Sequence, residues 1–582
     1  VCLPFEIVSF DEPLLHAPPH VERAGVFCAP LSAGRVWSHV LDSFCWRQCQ
    51  PRADEGGSLQ LNGQPYVTAF TDRYGVGPEG QINDFISRRG DRLLLADQID
   101  LNAMVARYGA PLEVAYCPQI TLQIERMLAW AGEARARSGY VGGFIYAYAT
   151  KANFAEEVVR TAISAGAHYE TSAAADVTIA HRLWQQGVLP SDRYIFCNGS
   201  KDDAYLAAIS ALRRAGFARV VPVIDDLDEL ETLLAMCREP LLIGVRERHA
   251  PADVDADHPG GERFGLTPDE IEQVVERLCH TPHRLVMYHA MVGSQIEDAD
   301  RWNMRLARSA EAYARLRQQA PSLMLFNFGG GMPTSAYSLD FRFDYVGFLE
   351  RLMRTLASTC AAYDVPQPTL VGEFGRYTVA SHNVFIMEVG RVKRGQGDAP
   401  DWVLLNGSLM VSLPDSLIVP GQEFIILPLD GWNRPVRPVR LAGRLTCDSD
   451  DFFPRPGAPP LLLPDPYPSQ KIAFFGVGAY QQMIAGRGGA HHCLAPEMRR
   501  IIIERDEDAL VVREVAPQNL GQIMALLGYA CETLELPVHQ PVRAPVERRV
   551  VRELLRLPRS ARRRTALRNA LPPRYGSAAR HM

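Results

Sequence analysis

Ile145-Tyr146-Ala147-Tyr148-Ala149-Thr150-Lys151-Ala152-Asn153 is an apolar strand that ends on a lysine. A lysine at the mouth of a buried strand is costly unless it has a chemical task. Burial lowers an amine's pKa, which suits a Schiff base with an aldehyde cofactor. A lone strand-end lysine more often snorkels to water. This one opens a series. From about residue 140, short apolar strands alternate with amphipathic helices. The strands read Phe144–Ala149, His168–Thr171, Tyr194–Asn198, Val220–Ile224, Leu241–Arg246, Leu285–Met291, Leu323–Phe328 and Thr369–Phe374. Helical patterns fall between them, among them Glu156–Ala165, Ala174–Gln186, Asp203–Ala215, Asp226–Cys237, Pro268–Cys279, Ala299–Gln319 and Tyr345–Tyr363. Eight strands, each reached through a helix, are the period of an α/β chain folded as a (β/α)8 TIM barrel. A doubly wound sheet, the rival, does not ordinarily place polar functional residues after nearly every strand.

Outward from the barrel the character changes. After Phe374, segments such as Asn383–Val392, Asp401–Leu405, Phe424–Leu427, Gly443–Cys447 and Arg499–Glu504 look like strands between Pro/Gly turns. They predict a β-rich second domain, with the proline-dense 454–468 as a loop. Leu93–Tyr116 is expected to join that domain from the other side of the barrel. The domains expected are an N-terminal segment over 1–138, the barrel over 139–390, the β-rich domain over 391–545, and a basic helix and tail over 546–582.

Composition excludes several classes. The 582 residues are 47% hydrophobic and 22% charged, ordinary for a globular protein. No apolar run is long enough to span a bilayer, and Val1-Cys2-Leu3-Pro4 lacks a basic region ahead of an apolar stretch. Twelve scattered cysteines form no CxxC pair, so no zinc site is expected and a reducing cytoplasm is the simplest setting. Residues 541–582 carry twelve Arg and two Glu, a charge of +10 against −16 for the rest. Val550, Val551, Leu554 and Leu555 there suggest an amphipathic helix over 546–557 that docks on the acidic body or on a partner subunit. That reading is preferred to a nucleic-acid or membrane contact. Adjacent His491-His492-Cys493 point apart, so the stretch reads as a surface loop and not a metal site.

The strand ends carry the chemistry. In order they offer Lys151, Glu170, Asn198, Asp225, Arg246, His289 with Ser294, Gly329-Gly330-Gly331, and Glu373 with Arg376. In a barrel these share the rim where active sites form. A triple glycine after strand seven lets backbone N–H groups approach a phosphate, and Arg376 can add a bidentate contact. Glu373 is placed to hold a pyridinium N–H. GGG by itself is usually a turn; the ordered set is far more specific.

In this set the sequence resembles the fold type III pyridoxal-phosphate decarboxylases, whose barrel is alanine-racemase-like. The pieces are Tyr-Ala-Thr-Lys151-Ala-Asn, Val-Gly-Ser294-Gln, Gly329-Gly-Gly331, Gly-Glu373-Phe-Gly-Arg376, Cys447-Asp-Ser-Asp450 and Gly478-Ala-Tyr480. Within that group it is most similar to the biosynthetic arginine decarboxylases, through Ile195–Asp202, Gly261–Leu266, Leu413–Asp415, Leu427–Gly431, Leu445–Asp450 and Phe474–Gln481. The resemblance runs from about residue 90 to 530. It implies pyridoxal 5'-phosphate held by Lys151, Met291, Ser294, Gly329, Gly330, Gly331, Glu373, Arg376 and Tyr480. It also implies Glu170 near the Schiff base, and Cys447 as a catalytic residue supplied across a homodimer interface. Asp448 or Asp450 would meet the cationic tail of a small amino-acid substrate. The implied activity is α-decarboxylation of arginine or a related basic amino acid.

Three positions depart from the family's pattern. Where it has His-x-Gly-Ser, with the histidine stacked on the cofactor ring, this chain has Met291. His289 lies two residues earlier, on the same strand face and one repeat deeper. A methionine can cover a ring through its sulfur but cannot protonate. Phe374 and Asp451 replace a proline and a glycine beside the presumed substrate space. These changes suggest a specialised substrate. Racemisation, oxidative decarboxylation and a non-catalytic relative that binds a partner protein are the alternatives. The retained Lys151, Glu373 and Arg376 argue against the last.

Overall fold

Strands whose residues are apolar on both faces need cover on both sides, and in this chain the cover is a closed barrel. The computed structural model describes residues 63–77, 79–249, 263–397, 399–419, 421–446, 451–507 and 509–529, and the backbone of 549–550. The chain divides into two units, Val1–Gln60 and Leu61–Met582, and all described residues belong to the second. Phe144–Ala149, His168–Thr171, Ile195–Cys197, Val220–Ile224, Leu242–Arg246, Arg284–His289, Leu325–Asn327 and Thr369–Phe374 are the eight barrel strands, first to eighth. Each pairs in parallel with its sequence neighbour, and the eighth closes on the first through Leu370↔Phe144 to Phe374↔Tyr148. Three strands end earlier than the apolar pattern suggests. The third stops at Cys197, the sixth at His289 and the seventh at Asn327.

Strand parity divides the core. Ala147, Phe196, Val221, Val223, Val286, Met287, Leu325 and Val371 form one buried cluster inside the barrel. Their neighbours Tyr146 and Tyr148 belong instead to the larger core shared with the helices. Those two rings are tied by their hydroxyls, Tyr146 to Thr378 Oγ1 at 2.7 Å and Tyr148 donating to Asn153 O at 2.6 Å. Helix starts follow local chemistry. Asp202, Asp226 and Asp344 accept backbone N–H groups at N-caps, and Thr267 with Glu270 makes a capping box.

The second layer is an eleven-stranded sheet. Its strand Asn383–Lys393 pairs antiparallel with Lys471–Phe475 and with Leu112–Tyr116, and the latter runs parallel to Arg499–Asp506. Chain from both sides of the barrel therefore builds it. Of the expected Leu93–Tyr116 piece only Leu112–Tyr116 enters this sheet. Arg92–Leu95 belongs to a separate four-stranded sheet. Three other expectations are corrected. The strand near Gly443–Cys447 is Val436–Ala442. The proline-dense loop contains strand Leu461–Pro464, which pairs with Val436–Val439 and so gains hydrogen bonds its composition hides. Arg549–Val550, expected within a helix, pair antiparallel with Val511 and Val512. Among the described residues no helix is long and apolar enough to cross a membrane.

Candidate active site

The ends of the barrel strands converge on one rim. Lys151 follows the first strand on a single 3-10 turn, Thr150–Ala152. Its side chain has accessible surface, but it lies deep among protein atoms, with Glu170, Tyr480, Glu373 and Arg246 as its charged and titratable neighbours. Its amine was expected to be pulled down by burial. Instead it is held above the usual lysine value, because Glu170 outweighs burial.

Glu170 is the last residue but one of the second strand and is fully buried. Its Oε1 accepts from Asn198 Nδ2 at 2.8 Å, while its Oε2 has no hydrogen-bond partner. Burial pushes its carboxyl up to about 8, against the pull of Lys151. Glu170 therefore gives up its proton before Lys151 does, and its charge then helps Lys151 keep its own.

Glu373, near the end of the eighth strand, shows the opposite balance. Its Oε1 accepts from Asn198 Nδ2 at 2.9 Å and from Asn327 Nδ2 at 2.7 Å. Its Oε2 faces His289 Nε2 at 3.6 Å. Burial raises Glu373, but His289, the two amides and Lys151 bring it below the usual glutamate value. Burial also pushes His289 down to about 4, so this ring is neutral at neutral pH. The amide hydrogen bonds are therefore the firmer cause of Glu373's ionisation.

The glycine turn is built so that side chains cannot enter. Gly329 and Gly331 have φ of +73° and +93°. A Cβ at Gly331 would lie 2.7 Å from Gly293 O, one at Gly330 2.9 Å from Glu373 O, and one at Gly329 2.5 Å from Met291 Sδ. The loop carrying Ser294 locks onto this turn through Ile296 N, which donates to Gly331 O at 2.9 Å. Met291 lies beyond the end of the sixth strand, and its sulfur accepts the Gly330 N–H at 3.2 Å. Gly329 N donates to Asn327 Oδ1 at 2.8 Å.

Arg376 does not stand free beside this turn. Its Nη1 donates to Asp415 Oδ2 at 2.5 Å and to Tyr337 Oη at 3.0 Å, and its guanidinium lies 4.4 Å from the Tyr480 ring centre. Its Nε has no partner. Tyr480 itself sits at φ +66°, held by its N–H to Ala152 O at 2.7 Å.

Two residues expected beside the substrate face elsewhere. Phe374 is buried against Tyr146, with ring centres 4.5 Å apart, because its position in the strand points outward to the helices. Asp451 is buried and accepts from Ser408 Oγ, Met410 N and Leu445 N. Cys447, Asp448 and Asp450 lie outside the described residues. His491 is buried and bonds Ala485 O and Glu497. Asn327 and Tyr337 were not singled out from sequence, and Asp415 enters there only within Leu413–Asp415, with no role given to it. Asn327 directly precedes Phe328 and the triple glycine, so the strand-end rule had the signal for it.

These features suit a pyridine ring carrying a phosphate. An ionised buried carboxylate has one oxygen free of amide donors, a second buried carboxyl has an oxygen with no partner, and a turn admits backbone only. The comparisons agree. Residues 133–380 match the family model "Pyridoxal-dependent decarboxylase, pyridoxal binding domain". This stretch is similar to the pyridoxal-binding domain of the pyridoxal-dependent decarboxylases. Around it, the chain is 29% identical over 265 residues to the biosynthetic arginine decarboxylase of Deinococcus radiodurans, covering 43% of this chain and 40% of that one. It is 24% identical over 357 residues to that of Yersinia pestis, covering 58% and 54%. The chain thus spans about half the length of the curated relatives it matches. In fold, the pyridoxal-binding domain and its sheet resemble the biosynthetic arginine decarboxylase of Campylobacter jejuni, with a TM-score of 0.66 at 20% identity over 79% of this chain and 92% of that one. They also resemble the diaminopimelate decarboxylase of M. jannaschii in complex with L-lysine, with a TM-score of 0.64 at 20% identity over 77% and 98%.

Proposed function

We propose that this protein is a pyridoxal-phosphate-dependent α-decarboxylase, a carboxy-lyase that converts arginine or a related basic amino acid to its amine and carbon dioxide. The observation that carries the reading is the meeting of Lys151, Glu170 and Glu373 on one barrel rim, against a glycine turn that excludes side chains. When bound, the cofactor supplies an electron sink for the pair left behind by the departing carboxylate. The chain's own residues do the rest. Lys151 would hold the cofactor's aldehyde. Glu373, kept ionised by Asn198 and Asn327, would hold its ring N–H. Gly329 to Gly331, Ser294 and Arg376 would hold its phosphate. Met291, whose sulfur meets the glycine turn, would line the same site. Glu170, neutral at neutral pH, keeps a proton beside Lys151.

The proposal includes a cytoplasmic homodimer with shared sites. Cys447 would reach the partner's cofactor, and Asp448 or Asp450 the substrate's cationic end. These roles rest on the motif Cys447-Asp-Ser-Asp450. A panel of arginine, ornithine, lysine and their derivatives, scored for carbon dioxide and amine, tests the activity. Release of both from a basic amino acid is expected. A cofactor-loaded protein that forms neither from any member would overturn the reading. For the shared site, Lys151→Ala and Cys447→Ala proteins allowed to exchange subunits should regain up to about a quarter of the sites. No recovery after proven exchange would show that each subunit is self-sufficient.

A further inference from the structure

Asn198 directly follows the third barrel strand and is 6% exposed. Its one amide nitrogen donates to two carboxylates, Glu170 Oε1 at 2.8 Å and Glu373 Oε1 at 2.9 Å. An amide nitrogen has two hydrogens, so each carboxylate receives one. Its Oδ1, also buried, has no hydrogen-bond partner. The side chain thus forgoes an acceptor contact, normally costly, in the orientation that serves both acids.

Two buried carboxyl groups close enough to share one nitrogen do not ionise together without cost. The donors decide which of them keeps the proton, because hydrogen bonds to a carboxylate favour its charged form. Glu373 has a second amide, Asn327, on the same oxygen, and His289 before the other. Glu170 has Asn198 alone.

We infer that Asn198 is a positioning residue that bridges the two acids, and that the unequal donors around this bridge, Asn327 on Glu373 alone, hold them in opposite charge states, Glu373 ionised and Glu170 carrying an exchangeable proton. The directions found for the two acids agree with this split. The other charged or titratable groups facing the pair are Lys151 after the first strand, Tyr169 on the second, Cys197 on the third, Asp176 on the helix Ala174–Gln185, Tyr205 on the helix Asp203–Arg214, Arg246 on the fifth strand and His289 on the sixth. Lys151 favours ionisation of both acids and ranks higher among the causes at Glu170, so it opposes this split; the donor count favours it. The bridge together with the second amide of Asn327 thus leaves a negative charge where a ring N–H belongs and a proton beside the amine of Lys151. The use made of that proton rests on the proposed activity, whereas the charge split does not.

The split can be read directly by infrared difference spectroscopy of the full-length protein during a pH titration. A buried protonated carboxyl should be lost near pH 8 and be missing from Glu170→Gln. In Asn198→Ala, Glu170 loses its donor, and its titration should move up by about one pH unit while Glu373 begins to take up a proton. Asn198→Asp keeps the shape but replaces the donor by a charge, and should move the titration further the same way. A Glu170 that is already ionised at neutral pH in the wild type overturns the inference. So does a midpoint unmoved in whichever of these two Asn198 variants folds. Failure of the amino-acid panel with the infrared result intact would count against the proposed activity alone.

Discussion

Lys151 reaches the rim through parity. Ile145 and Ala147 pack toward the barrel interior, Tyr146 and Tyr148 toward the helices, and the 3-10 turn then lifts the next inward side chain to the mouth. Lys151→Ala should therefore abolish the yellow, borohydride-reducible chromophore after dialysis. A variant that keeps it in full attaches its cofactor elsewhere. Glu170 offers a second test at this scale, in stability. Its folded pKa, about 8, lies above the ordinary 4.5 of an unfolded chain. The folded state then binds the extra proton, so this contribution is complete below about pH 4.5 and is lost as pH rises toward 8. Glu170→Gln cannot titrate. Relative to wild type it should gain stability by about 1 kcal/mol per pH unit across that window. Urea midpoints of the two proteins that stay parallel from pH 5 to 8 would contradict the assignment.

At the scale of elements, the loops after the strands are held by contacts as specific as the strands themselves. Gly331 combines a left-handed φ with Gly293 O at 2.7 Å from any added Cβ. Gly331→Ala should weaken cofactor binding by at least an order of magnitude, read by titrating the chromophore, since the clash falls on backbone that cannot yield cheaply. The loop after the third strand is anchored differently. Lys201, with a fully buried side chain, donates to Gly199 O, Val223 O and Glu229 Oε1, the last at 2.7 Å on the helix Leu227–Met236. Lys201→Met leaves Glu229 buried without its counter-charge, at a cost of about 3–5 kcal/mol. Adding Glu229→Leu should recover much of that in chemical denaturation. Additive losses in the double variant would mean the pair is not coupled.

Across the whole molecule, a charge network ties the sheet to the barrel. Glu157, on the barrel helix Glu156–Ser164, pairs with Arg500 and Arg513 of two sheet strands. Arg500 also faces Glu113, which accepts from Arg487 at 3.0 Å and from Asn383 at 2.8 Å. Glu157→Gln removes the barrel's share of this network and leaves Arg500 buried with one remaining acid. A loss of about 3 kcal/mol or more is expected, and the calorimetric and van't Hoff enthalpies of unfolding should diverge as the two layers uncouple. A single transition of unchanged midpoint would show that apolar packing alone joins them.

How much of this was legible in the residues follows from range. Strands apolar on both faces, capped helices between them and a polar residue at each strand end are local patterns, each carried by a few consecutive side chains. They determined the eight-strand period, and they placed Lys151, Glu170, the triple glycine and Glu373 in the right order. Composition hid the strand Leu461–Pro464, because its hydrogen bonds come from Val436–Val439 and not from its own residues. The pairings in the site were hidden for the same reason. Asn198 and Glu373 are 175 positions apart, and only closure of the eighth strand on the first brings their strand ends onto one rim. Closure likewise decided that Phe374 faces the helices and that Arg376 meets Asp415. Local pattern determined which side chains stand at the rim of this protein. The tertiary structure alone decided which oxygen each donor meets, and hence which acid is charged, because hydrogen bonding and burial depend on neighbours that the order of residues does not place side by side.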